Sequence, residues 1–227
     1  MKKWTLKDTN ILNKISAIIT SGGNSTRFGS NKLLEKLNEY SVIETTISKF
    51  LDIVDEIIIP CQEEIKNHIL NSSLYSEKIK FAPSGSTRQI SVYNGIFACS
   101  NPKIVLIHDG ARPFINKKTI EKTIEMTFEK KAVVVGNFTV NTIKMVENGK
   151  IIKTLDRKKI FEAQTPQAFE YELIKNIHSK YKNKNDFTDD SSMAEAYGTE
   201  VFVLENEFNN IKITTKKDLE NFSVNKN

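Results

Sequence analysis

Short apolar runs alternate along this chain with stretches whose apolar positions recur every three or four residues. Ile15, Ala17, Ile18 and Ile19 form a β-branched run that predicts a buried strand. Over residues 41–51, Ile43, Ile47, Phe50 and Leu51 stand at helical spacing and predict a helix packed on that strand. Residues 56–59 read as a second strand closed by Pro60, 63–70 as a short helix and 78–82 as a weak third strand. Gly85 marks a turn, and Ser86 or Thr87 can cap a helix that carries Ile90, Val92 and Ile96. The clearest buried strand is 103–108, after which Ile120, Ile124 and Phe128 trace an amphipathic helix and 132–135 begins another strand.

Strand and helix alternating in this way imply right-handed crossovers and an α/β fold with a mostly parallel central sheet, helices covering both faces. From Phe138 the rhythm changes. Residues 140–146 alternate, Asn148-Gly149 makes a turn, and 150–155 alternate back, which is a hairpin signal. A lone hairpin is too small to be stable in water, so it should lie on the parent domain or pair with another chain. Beyond it come a helix near 171–181, a polar loop at 182–186 and a helix through Tyr197 capped by Thr188-Asp189-Asp190. Residues 201–204 then form a strand, and Thr215 with Asp218 makes a capping box for a final helix. The reading is one domain over 1–227, with 138–156 as an inserted hairpin arm.

Composition narrows the class. With 27% charged and 39% hydrophobic residues the chain is a soluble globular type, and no apolar run nears the ~20 residues of a membrane span. The start carries two lysines without an apolar core or cleavage site, so no signal peptide is expected and the location is cytoplasmic. Cys61 and Cys99 fit reduced thiols, and with three scattered histidines they assemble no zinc site. The net charge of +5 is dispersed among Asn, Glu and Ile rather than clustered with aromatics, which argues against nucleic acid and for a small anionic ligand.

The first strand ends in Ser21-Gly22-Gly23-Asn24-Ser25, followed by Arg27 and Lys32. Glycines that admit a ligand close to the backbone, beside fixed cations, make a polyphosphate cradle; the other reading is an ordinary tight turn with exposed basic residues. Neither the P-loop nor G-x-G-x-x-G is present, since Ser30 rather than Lys follows Gly29. Asp109-Gly110-Ala111-Arg112 follows the strand at 103–108. Both loops fall at carboxyl ends of strands, where parallel sheets bind ligands, so they point to one shared site.

SGGNSTRFGSNK, GSTRQISVYNGI, HDGARPF, NTIK, TLDRKKIFEAQTPQAF, TDDSSMAE and NIKITTKKDL stand in order from about Ile15 to Leu219. In these blocks the chain resembles the 2-C-methyl-D-erythritol 4-phosphate cytidylyltransferases and their relatives acting on ribitol 5-phosphate. The resemblance implies a Rossmann-like nucleotidyltransferase fold that transfers CMP from CTP to a polyol phosphate and releases pyrophosphate. Catalysis of such a reaction between anions is mainly charge neutralisation and alignment. By resemblance, Arg27 and Lys32 steady the α-phosphate and pyrophosphate, while backbone at Ser21, Gly22, Gly23 and Ser25 holds the triphosphate. Gly85, Arg88 and Ser91 match the cytosine and ribose segment, and Asp109 with Gly110 lies near metal, ribose and acceptor. Arg112, Thr142, Arg157, Thr165 and Lys212 match the acceptor side, Arg157 and Lys212 positioning the attacking phosphate. Mg²⁺ is held mainly by CTP phosphates, with Asp109 as its protein ligand. The arm implies a C2 homodimer in which Thr142 and Arg157 can serve the neighbouring chain.

The chain departs from the family at Asn31 before Lys32, at Ser21-Gly22 and Gly110 where alanine is common, and at Asn141 before the arm threonine. That last segment touches the acceptor, so ribitol 5-phosphate stands as the alternative substrate. A non-catalytic nucleotide-binding protein is the alternative of another class. No second catalytic domain is expected after the final helix.

Overall fold

Side chains on the central strands point alternately into two separate cores. Ile15, Ala17 and Ile19 join one core while Ile18 joins the other; Ile57 and Ile59 likewise oppose Ile58, and Ile104 and Leu106 oppose Val105 and Ile107. Such apolar burial on both faces needs helices on both sides of the sheet, and each fully buried side chain of this size is worth about 1.5–3 kcal/mol. The computed structural model describes residues 14–21, 31–184 and 186–223.

In chain order the elements are β1 (Ile15–Thr20), β2 (Lys36–Leu37), β3 (Tyr40–Ser41), α1 (Val42–Ser48), β4 (Glu56–Cys61), α2 (Glu63–Leu70), β5 (Ile79–Pro83), α3 (Arg88–Ala98) and β6 (Ile104–Asp109). Then follow α4 (Lys117–Lys130), β7 (Ala132–Phe138), β8 (Lys144–Glu147), β9 (Lys150–Thr154), β10 (Phe161–Glu170), α5 (Tyr171–Lys180), α6 (Asp190–Tyr197), β11 (Phe202–Glu205) and α7 (Lys216–Ser223). The main sheet runs β11-β7-β10-β6-β1-β4-β5. Every neighbouring pair is parallel except those of β10, which is antiparallel to both β6 and β7. Helices α1, α2 and α4 supply one core, and α3, α5 and α6 the other. No described helix is long and apolar enough to cross a membrane.

Several elements differ from the sequence reading, among them the short antiparallel pair β2–β3, which it did not anticipate. Strand β4 continues through Pro60 to Cys61 instead of closing there. Its register with β1 ends at Ile18–Ile58, so Pro60, which has no N–H to give, lies beyond that ladder. Strand β10 has no counterpart in the sequence reading, although it sits mid-sheet. It carries Gln, Glu and a proline, all of which argue against a central strand, and its register shifts between Ala163 and Gln167 around that proline. The outgoing arm strand is shorter than the alternation over 140–146, spanning only Lys144–Glu147.

Candidate active site

Strands β1 and β6 pair in parallel to their ends, which sets Thr20 opposite Asp109 and joins the two candidate loops at one point. Beyond Thr20, the buried Ser21 donates through Oγ to the Pro60 carbonyl at 2.6 Å, fixing where the glycine loop leaves the sheet. Gly22, Gly23, Ser25 and Arg27 lie outside the described residues; Lys32 is half-buried just ahead of β2. Gly110 closes the junction. Its N–H donates to the Thr20 carbonyl at 2.9 Å, and its own carbonyl accepts from Thr46 Oγ1 at 2.7 Å. A Cβ there would lie 2.8 Å from the Thr20 oxygen, so a side chain at 110 would require the two strand ends to shift apart.

Asp109 is 7% exposed and faces three cations. Lys212 Nζ stands 2.8 Å and Arg112 Nε 3.4 Å from Oδ2, while Arg88 Nε stands 3.5 Å from Oδ1. Burial alone would raise the carboxyl pKa. The charges of Arg88, Lys212 and Arg112 overcome that and hold it far below the usual carboxylate range. Asp109 is thus a permanent anion that gathers cations which would otherwise repel one another.

Each cation is steered by further contacts. Arg112 Nη1 donates to the Asn210 carbonyl at 2.8 Å, and Asn210 Nδ2 donates to the Thr165 carbonyl at 2.7 Å. The Ile213 N–H donates to the Ala111 carbonyl at 2.8 Å, which presents Lys212 from an anchored loop. Arg88 Nη1 donates to Asp190 Oδ2 at 2.8 Å, and the other oxygen of Asp190 meets His178 Nε2 at 3.0 Å. Burial would raise the Asp190 pKa, but the Arg88 charge and the His178 bond hold it at about 2. Arg88 in turn is kept above its usual value by the two carboxylates, against the effect of burial.

Behind the cluster a chain of buried groups fixes the backbone. The Asp109 N–H donates to Thr165 Oγ1 at 3.0 Å, and that hydroxyl lies 3.1 Å from His108 Nδ1. His108 Nε2 lies 3.1 Å from the Arg112 carbonyl. A carbonyl only accepts, so Nε2 carries the proton and Nδ1 accepts from Thr165. Full burial pushes the imidazole pKa down to about 4, keeping it neutral, as this bonding requires.

The remaining site residues fall into two places. Ser91 is 1% exposed, accepting from the Gly85 N–H at 2.9 Å and donating to the Thr87 carbonyl at 3.0 Å; its hydroxyl shapes the loop before α3. Thr165 is buried among Asp109 and His108. Thr142 and Arg157 are exposed at the base of the β8–β9 arm, Arg157 Nη1 donating to the Val140 carbonyl at 2.9 Å. Among the described residues no hydrogen bond or ion pair joins them to the Asp109 cluster. Asp189 caps α6 as read from sequence, whereas Asp190 is no cap but the buried partner of Arg88. His108, His178 and Asn210 carry structure here that the sequence reading did not assign, and Asp190 a role other than the cap read for it. His108, Asp190 and Asn210 stood within the quoted blocks, whereas His178 offered only a position on a predicted helix.

Asp109 is a carboxylate at this mouth, and among the described residues no cluster of three or more His, Cys, Asp or Glu could hold a metal. That donor set fits a hard cation carried mostly by substrate oxygens with a single protein ligand.

A mostly parallel sheet that gathers a cluster of cations at the carboxyl ends of its strands is a site for an anionic ligand such as a nucleotide. The comparisons agree. The family described as 2-C-methyl-D-erythritol 4-phosphate cytidylyltransferase matches residues 15–224, and the chain belongs to that family. A Clostridium botulinum (strain Eklund 17B / Type B) protein of that name is 39% identical over 219 residues, spanning 90% of this chain and 96% of the relative. Its Clostridioides difficile (strain 630) namesake is 41% identical over 214 residues, 90% of each chain. Among solved structures, 4-diphosphocytidyl-2C-methyl-D-erythritol synthase from Anaerococcus prevotii superposes with TM-score 0.82 at 31% identity, covering 93% of this chain and 97% of that one. The Francisella tularensis 2-C-methyl-D-erythritol 4-phosphate cytidylyltransferase gives 0.78 at 30% identity, with 93% and 100% covered. The enzyme class is therefore CTP-dependent cytidylyl transfer.

Proposed function

We infer that the chain joins CMP from CTP to 2-C-methyl-D-erythritol 4-phosphate and releases pyrophosphate, a step of non-mevalonate isoprenoid synthesis. A phosphate oxygen of the acceptor attacks the α-phosphorus of CTP, a new P–O bond forms, and the α–β bridging bond breaks. Two anions must approach each other, so fixed positive charge facing them is the main requirement. The observation that carries this reading is Asp109 at the carboxyl end of β6, holding Arg88, Arg112 and Lys212 beside the exit of the glycine loop.

In this scheme Arg27, Lys32 and the loop backbone at Ser21, Gly22, Gly23 and Ser25 receive the triphosphate. The Gly85 segment, with Arg88 and Ser91, receives the cytidine. Arg112, Lys212, Thr165 and the arm residues Thr142 and Arg157 serve the acceptor phosphate, Arg157 through its planar fork. Asp109 would be the protein ligand of a Mg²⁺ carried by the triphosphate, which would supply neutralisation of its charge. Two chains pair through the arm, which is supported by apolar side chains standing in water on β8 and β9: Met145, Val146, Ile151 and Ile152 are all at least half exposed. A two-stranded hairpin of this kind gains stability by packing on a mate. The cytoplasm is the proposed compartment, supported by the free thiols Cys61 and Cys99.

Pyrophosphate release with CTP and each of two acceptors tests the reading. Turnover should favour 2-C-methyl-D-erythritol 4-phosphate; a preference of more than about tenfold (1.4 kcal/mol) for ribitol 5-phosphate overturns it. Tight CTP binding without pyrophosphate release from either acceptor overturns catalysis itself.

A further inference from the structure

Arg88 is shared unequally between two buried carboxylates, close to Asp190 at 2.8 Å and looser to Asp109 at 3.5 Å. The oxygens of Asp109 are sorted accordingly, Oδ1 toward Arg88 and Oδ2 toward Lys212 and Arg112. We propose that Asp190, backed by His178, is a positioning residue: by holding Arg88 back, it leaves the Asp109 carboxylate engaged with Lys212 and so sets the acceptor-side cation. The proposal rests on the cytidylyl-transfer reading of the site.

Anchoring α6 does not account for Asp190. The helix start has its own fastening, since Asp189 accepts from the Ser192 N–H at 2.8 Å and from Gln167 Nε2 at 2.7 Å. The Ser191 N–H also donates to Gln167 Oε1 at 2.9 Å. Nor does stability account for it, because a packed apolar pair seals such a boundary as well as a buried ion pair. What Asp190 does uniquely is compete for Arg88. With its charge removed, Arg88 has only Asp109 to satisfy it, and the carboxylate is drawn toward α3 and away from Lys212. Among the described residues no hydrogen bond or ion pair joins Asp190 to Lys212, so any coupling between them passes through Arg88 and Asp109.

A double-mutant cycle of Asp190→Asn and Lys212→Met, read as kcat/KM for 2-C-methyl-D-erythritol 4-phosphate at saturating CTP, tests this. Asp190→Asn alone should cost about tenfold, and less than about threefold once Lys212 is already gone, a coupling in the range of contacting networks. A crystal structure of Asp190→Asn should bring Arg88 Nε into hydrogen-bonding distance of Asp109 Oδ1, whatever the activity. Losses that multiply, or an Arg88 that keeps its place, overturn the proposal. If Asp190→Asn does not fold, His178→Gln enters the same cycle with an expected coupling of about threefold, and additivity there also overturns it. A wild type that releases no pyrophosphate refutes the cytidylyl-transfer reading instead, so the two failures are distinct.

Discussion

The cation cluster and the hairpin arm are built on opposite terms. Around Asp109, charged and polar groups are buried and each is held by partners remote in sequence: Arg88 meets Asp190 across 102 positions and Arg112 meets Asn210 across 98. On the arm, every residue of β8 and β9 is exposed and the main fastening is its own ladder. One region spends core burial on fixing charges before any substrate arrives. The other leaves apolar surface in water, where only a further surface can cover it. Preorganised electrostatics therefore belongs to the single chain, while the exposed apolar surface of the arm is what the proposed pairing would cover.

The contrast is broken most sharply at its centre. Asp109→Asn leaves three cations facing a neutral amide, and kcat should fall about 10³-fold, measured by pyrophosphate release, while the arm is untouched. Ile151→Glu with Ile152→Glu attacks the other side. Light scattering should report monomers, acceptor turnover should fall about 100-fold through lost positioning, and the melting temperature of the sheet domain should barely move. A dimer that survives this double change removes the arm from assembly.

Gly136 lies where scaffold meets arm, and a Cβ there would stand 2.3 Å from the Glu162 carbonyl oxygen and 2.5 Å from the Phe161 ring. Gly136→Ala should cost about 2–3 kcal/mol, a fall of roughly 4–12 °C in thermal melting. Acid should loosen the cluster and spare the arm. His108 titrates near 4 when folded against 6.5 ordinarily, so the unfolded chain binds more protons between those values and stability drops as pH falls through that window. From pH 7 to 5 the loss should be roughly 2 kcal/mol, and His108→Gln should flatten that part of the melting profile. The smallest effect concerns the thiols. Burial pushes Cys61 up to about 11 and Cys99 to about 12, so neither should be alkylated by iodoacetamide at pH 7 in the folded protein.

By itself the sequence determined most of what a local pattern can encode. The apolar runs of β1, β4, β6 and β7 and the helical spacing of α1 and α4 were legible, because one strand or helix writes its own periodicity. So were the caps: Thr87 accepts from the Ile90 N–H, while Thr215 and Asp218 exchange hydrogen bonds at the start of α7. The loop at the carboxyl end of β6 was legible for the same reason. Tertiary structure decided what depends on distant residues meeting. Strand β10 exists because β6 and β7 accept its backbone on both sides, overriding its proline and polar side chains. Asp190 became an internal counter-ion, and Thr165 a buried link to His108, only when the folded core removed water and left each charge and hydroxyl to find a protein partner.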